Sequence, residues 1–168
     1  MGPVESAAVV FGSCVAILIW FSHMDISTRR IPNHQLLVSF IVATVIVIFS
    51  GHLFAYPMLH GVAVGFTGLM GYVLYRLGSI GGGDLKLILI VAFLSPGMVF
   101  TTGGDPILEV VVTSGLMTLG MLLLGWFYSR NSRANNDASE DPMTPLIPFL
   151  TISYMILQGI GIMLHFWS

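Results

Sequence analysis

The chain has 168 residues, 55% of them hydrophobic and 8% charged, with a formal net charge of −2 and a mean hydropathy of +0.91. Soluble domains carry roughly a quarter charged residues, so a water-soluble fold is excluded, and with no basic stripe the chain offers nothing to nucleic acid. The apolar runs are continuous rather than alternating as in outer-membrane strands, so the expected fold is an all-α membrane protein: a polytopic bundle of about six transmembrane helices forming one membrane-embedded domain over residues 1–168.

The first expected span, 4–23, contains "VVFGSCVAILIWF". The preceding "MGPVESAA" lacks the basic stretch of a cleaved secretory signal, so this span is expected to stay in the mature protein. The single cysteine, Cys14, lies within it and has no partner for an internal disulfide or a multi-cysteine metal site. After the span comes "WFSHMDISTRRIPN". A helix running on past the membrane would set Arg29 one turn from Asp25, in an ordinary i,i+4 ion pair, and Pro32 suits the first turn of a following helix. His23 reads as solvated at the membrane boundary.

The second span is expected at 34–51. The third, 57–77, carries Gly61, Gly65, Gly68 and Gly71 as a small-residue stripe suited to close helix packing. The fourth, 84–102, is preceded by "GSIGGG" and opens on Asp84. Lys86, two positions later, points to nearly the opposite helix face and reads as a headgroup anchor. The fifth is expected at 107–128; Asp105 and Glu109 near its start read as a solvated boundary. A polar loop, "SRNSRANNDASEDPMTP", follows, with Asp137, Glu140 and Asp141 as solubility residues. The sixth, 146–166, begins in "PLIPFL", where Pro148 is expected to kink the helix.

Arg29, Arg30, Arg76, Lys86, Arg130 and Arg133 are the chain's six basic residues. All fall at alternate connections, which the positive-inside rule assigns to the cytoplasm. Both termini are then expected outside, and Asp25 and Asp84 near the cytoplasmic face. Two inward-leaning carboxylates at one depth form a candidate dyad. Such a pair shares a proton because both cannot readily ionise together. One member can take a proton from water while the other polarises a peptide carbonyl, which is hydrolysis without metal or cofactor. Gly81 and Gly83 admit backbone shapes closed to other residues and leave room for a neighbouring chain. Each aspartate also has a plain structural reading: Asp84 as a helix cap beside a flexible turn, Asp25 as the partner of Arg29.

Two motifs tilt the balance. "DISTRRIPN" resembles the aspartate, polar turn and Ile/Val-Pro-Asn of the type IV prepilin peptidases, and Gly81-Gly82-Gly83-Asp84 is similar to their Gly-x-Gly-Asp. Ile147-Pro148-Phe149 is a weaker third match. The resemblance implies that Asp25 and Asp84 are the catalytic pair of an aspartic endopeptidase, with Gly81, Gly83, Pro32, Asn33 and Pro148 supporting the motifs. It implies no cofactor and no metal. The implied substrate is a prepilin or pilin-like protein with a basic leader ahead of a hydrophobic helix, cut at the cytoplasmic membrane boundary of a bacterial inner membrane. Larger members carry an extra region with paired Cys-x-x-Cys motifs and methylate the new N terminus. This chain has neither the region nor the cysteines, and looks like the short form of Flp/Tad pilus systems, without methyltransferase activity. The competing readings are a small proton-coupled membrane transporter, since intramembrane acids relay protons, and a structural subunit of the pilus export machine.

Overall fold

The computed structural model describes residues 3–97, 105–135 and 144–167, with side chains described for 8–97, 105–131, 144–161 and 163. Seven helices lie in these segments: α1 (Pro3–Thr28), α2 (Asn33–Phe49), α3 (His52–Ala55), α4 (Pro57–Arg76), α5 (Gly82–Leu94), α6 (Pro106–Asn135) and α7 (Ile147–Trp167). Within α1, α4 and α6, Ala8–Thr28, Pro57–Arg76 and Pro106–Asn131 are long and apolar enough to cross a membrane, while Asn33–Phe49 and Ile147–Gly161 are shorter apolar helices.

Apolar side chains face outward as well as inward. Leu37, Phe40, Ile41 and Ile48 of α2 and Leu116, Leu119, Leu123 and Phe127 of α6 are exposed. Inside lie Asp25, His60, Thr113, Ser114, Thr118, Thr151 and Ser153. Hydrocarbon solvates the outward apolar faces, while inward hydroxyls bond within the protein at some positions and, at Thr67 and Ser153, have no partner among the described residues. Thr113 donates to the Glu109 carbonyl at 2.7 Å and Thr118 to the Ser114 carbonyl at 2.9 Å, each returning its proton to its own helix. The protein is an all-α membrane bundle.

Several expected boundaries move. The fourth span was expected to reach 102, but α5 ends at Leu94. Ser95 precedes Pro96, whose ring disfavours helical backbone in the residue before it, and Ser95 is extended (φ −132°, ψ 86°). At 13 residues, α5 is about 20 Å long, short of the roughly 30 Å hydrocarbon core. In the other direction, α1 runs five residues past its expected end and so takes Asp25 into the helix. Helix α6 continues through Asn135, into the expected loop. Asp137, Glu140 and Asp141 lie outside the described residues, as do 98–102 of the expected fourth span.

The glycine stripe divides in two. A Cβ at Gly68 would meet Leu89 Cδ2 at 3.3 Å, and one at Gly71 would collide with the Leu85 side chain; Gly61 and Gly65 have no neighbour within 4 Å. Of the four glycines, only Gly68 and Gly71 therefore stand where α4 and α5 leave no room for a Cβ. The Asp105–Glu109 pair also departs from expectation. Asp105 caps α6, its Oδ1 accepting from the Ile107 N–H at 3.0 Å, whereas Glu109 is buried rather than solvated. At the same end of the bundle, His60 Nδ1 donates to the Phe93 carbonyl at 2.7 Å. With His60 neutral, its Nε2 accepts from His52 Nδ1, 2.9 Å away. These bonds join α3, α4 and the C-terminal end of α5.

Candidate functional site

At the opposite end, α1 stops at a left-handed residue. Arg29 has φ 51°, a conformation few non-glycine residues adopt, and its N–H bonds the Asp25 carbonyl at 3.1 Å. That is the single-bond left-handed cap, with Asp25 three residues before the Thr28 cap position. Ser27 and Thr28 donate to the carbonyls of His23 and Met24 at 2.8 and 3.0 Å, and Thr28 also to Arg30 at 3.0 Å. The helix end that carries Asp25 is thus pinned by its own hydroxyls. Arg29 lies past the helix end, so it does not hold the i,i+4 helical position relative to Asp25.

Asp25 is only 8% exposed and reaches across to α7, where its Oδ2 accepts from the Ile147 N–H at 3.1 Å. One turn deeper, Ser22 and Thr151 pair through their hydroxyls at 2.7 Å. These two contacts set the antiparallel register of α1 and α7. Pro148 falls in the first turn of α7, where its missing N–H is no loss. Contrary to the kink its placement in the sequence suggests, the proline is the second residue of α7 and has no preceding helix to bend.

Asp84 reaches the same end by another route. Helix α4 closes in a Schellman motif: Gly78 is left-handed at φ 73°, its N–H bonds the Tyr75 carbonyl at 3.0 Å, and the Ser79 N–H bonds the Leu74 carbonyl at 2.9 Å. The conformational freedom expected of Gly81 and Gly83 is therefore exercised at Gly78. Gly81 is the N-cap of α5 in ordinary extended backbone (φ −78°, ψ 159°), and its N–H donates to Asp84 Oδ2 at 3.0 Å. What Gly81 supplies is space, since a Cβ there would lie 3.0 Å from that same oxygen. Gly83 lets Ile31 pack at 3.4 Å from its Cβ position. Asp84 is therefore not the N-cap itself but the third residue of α5, bonding back to the N–H of the cap residue Gly81, which is compatible with a second role.

Both carboxylates open into one cavity of about 770 Å³. Its wall passes from Asp25 and Arg29 through Ile31, the Gly78–Gly81 turn, Gly83 and Asp84, then to Leu122, Gly125, Trp126 and Ser129 of α6 and the Thr144–Leu146 segment. The two residues stand 59 positions apart in sequence. Of the other sequence-predicted residues, Gly81 and Gly83 line the cavity, while Pro32, Asn33 and Pro148 do not. Asn33 instead accepts from Lys86 Nζ at 2.8 Å on another face of α5. Among the described residues, no group of three or more His, Cys, Asp or Glu stands together as a metal site.

Sequence reading missed the α6 and pre-α7 walls. Gly125 is buried, and a Cβ on it would lie 2.8 Å from Leu146 Cδ2. An isolated glycine inside a helical run was the available signal. Ile147 contributes through its backbone N–H, which no side-chain pattern announces.

An acidic, half-enclosed cavity with two carboxylates on rigid helix ends can hold a cationic or polar chain segment and exchange protons with water. A comparison with known families agrees with this chemistry: the chain matches the type IV leader peptidase family over residues 12–123. Among curated proteins and among solved structures, none matches it significantly.

Proposed function

Because the chain belongs to the type IV leader peptidase family, and is on that ground a membrane peptidase, we propose that it is an aspartic endopeptidase. Its substrates are prepilins or pilin-like proteins, and it removes their leader at the cytoplasmic boundary of a bacterial inner membrane. The whole chain acts as one membrane-embedded unit. The observation that carries this reading is the shared cavity of Asp25 and Asp84.

In the proposed reaction the pair holds one proton between them. The ionised carboxylate takes a proton from a water molecule as its oxygen attacks the scissile carbonyl carbon. The protonated partner donates to the carbonyl oxygen. The tetrahedral diol collapses as the first carboxyl gives its acquired proton to the leaving nitrogen and its partner takes one back from a diol hydroxyl, so that the C–N bond breaks with no covalent enzyme intermediate and the shared proton is restored. The Ile147 N–H, bonded to Asp25, and the Gly81 N–H, bonded to Asp84, hold the two carboxylates in position, so less reorganisation accompanies the reaction.

Both carboxylates sit within one turn of a helix end, Asp25 before the α1 terminus and Asp84 after the α5 start. That placement suits a boundary cut. It does not suit a proton-coupled carrier, whose coupling residues lie near the bilayer midplane.

The test is cleavage of a leader-bearing pilin-like substrate by the purified protein, with no other component. Asp25→Asn and Asp84→Asn, separately, are expected to lower the rate by about 10²–10⁴-fold while the variants insert and melt like wild type. The wild-type rate is expected to be bell-shaped in pH, with limbs that belong to the pair. Undiminished cleavage by either well-folded variant removes the assignment.

A further inference from the structure

Lys86 stands two residues after Asp84 on a different face of α5, and there a second cavity of about 500 Å³ opens. Asn33, Leu37 and Phe40 of α2 form one wall, Lys86, Leu89 and Phe93 of α5 the other, and α4 closes the back. Helices α2 and α5 start at the same end of the bundle and run parallel in a fixed register. Lys86 Nζ donates to Asn33 Oδ1 at 2.8 Å. Seven residues further along both helices, Phe40 packs on Phe93 with ring centroids 5.7 Å apart. Seven helical residues span about 10 Å. The cavity is therefore a slot with a cationic mouth, apolar sides and an aromatic floor.

We propose that this slot binds one anionic glycerophospholipid, its phosphate against Lys86 and the Asn33 carboxamide and one acyl chain lying down to the Phe40–Phe93 floor. Charge complementarity argues for it. Among the described residues, Lys86 is the only charged one lining the slot, and Asn33 takes one of its three ammonium donors. A bound lipid would clamp α2 to the first turns of α5, the helix that also carries Asp84. The proposal does not depend on the peptidase reading.

The full chain, purified in neutral detergent, is offered phosphatidylglycerol and phosphatidylcholine with identical acyl chains, and retention is read by native mass spectrometry. One phosphatidylglycerol is expected to be retained about five-fold over phosphatidylcholine, the preference one lysine near an anionic headgroup supplies. Lys86→Gln should abolish the preference by lowering phosphatidylglycerol retention more than phosphatidylcholine retention, Lys86→Arg should keep it, and Leu89→Trp should lower retention of both lipids by filling the slot. In vesicles, Phe40→Trp should be quenched more by bromine-labelled acyl chains on phosphatidylglycerol than on phosphatidylcholine. Equal retention of the two lipids by the wild-type protein overturns the proposal, as does a preference that survives Lys86→Gln. Retention of glycerophosphate as strong as that of the lipid also overturns it, as does one-for-one displacement of the lipid by a hydrophobic helical peptide.

Discussion

The carboxylate of Asp25 accepts a hydrogen bond at 3.1 Å from the backbone N–H of Ile147, 122 residues away in sequence. That N–H is one of the donors a helix start leaves unpaired, and the positive end of the α7 dipole favours a negative charge beside it. Helix α7 thus supports Asp25 by its orientation alone.

Ile147→Pro removes that donor at a position where proline is tolerated, the start of a helix. Losing one hydrogen bond to a charged group is expected to cost about 1.5–3 kcal/mol in the positioning of Asp25, read as a fall in cleavage rate of about ten-fold or more. The Ile147 side chain is fully buried, so Ile147→Val is the packing control. It should cost about 0.5–1.5 kcal/mol in stability and leave the rate within about two-fold. Equal rates for the two variants would detach the amide from function.

Gly81 and Gly83 should respond differently to the same methyl group. In Gly81→Ala the new Cβ would lie 3.0 Å from Asp84 Oδ2 and push the carboxylate from its cap. Misplacement of a reacting group by even 1 Å can cost about 100-fold, so a loss of at least ten-fold is expected. In Gly83→Ala the Cβ meets Ile31 at 3.4 Å, a contact small shifts absorb, and helix propensity rises by up to about 1 kcal/mol. Cleavage should stay within about three-fold, with a melting temperature equal or higher. The reverse order would contradict the steric role assigned to Gly81.

The far end of the bundle should be sensitive to acid. Burial pushes the His52 imidazole below its usual range, so between its folded and unfolded values the unfolded chain binds more protons. Stability therefore rises with pH across that window. It should be complete above about pH 6.5, the ordinary histidine value, and decline as pH falls below it. Thermal melting in detergent between about pH 5 and 8 checks this, with His52→Gln expected to flatten the slope.

Orientation has a direct test of its own. With the single cysteine removed as Cys14→Ala, new cysteines at Ser79 and Ser129, both lining the site cavity, should react with a membrane-impermeant thiol reagent only from the cytoplasmic side. A cysteine at Ser50, at the other end of α2, should react only from the opposite side. Labelling of Ser79 and Ser129 from different sides would dismantle the common site.

Composition and periodic apolar runs were enough to establish a helical membrane bundle, because hydrocarbon admits few other backbones. The motifs around Asp25 and Asp84 could be read directly, since they are local strings whose residue types carry their chemistry. Tertiary packing decided the rest. It buried Glu109 and brought the Ile147 amide to Asp25. The burial depends on neighbours far away in sequence and the amide is a backbone group that every residue shares, so neither leaves a mark in a one-dimensional pattern, whereas Pro96 after α5, the glycine at Gly78 and the isolated Gly125 were local signals that could have been read.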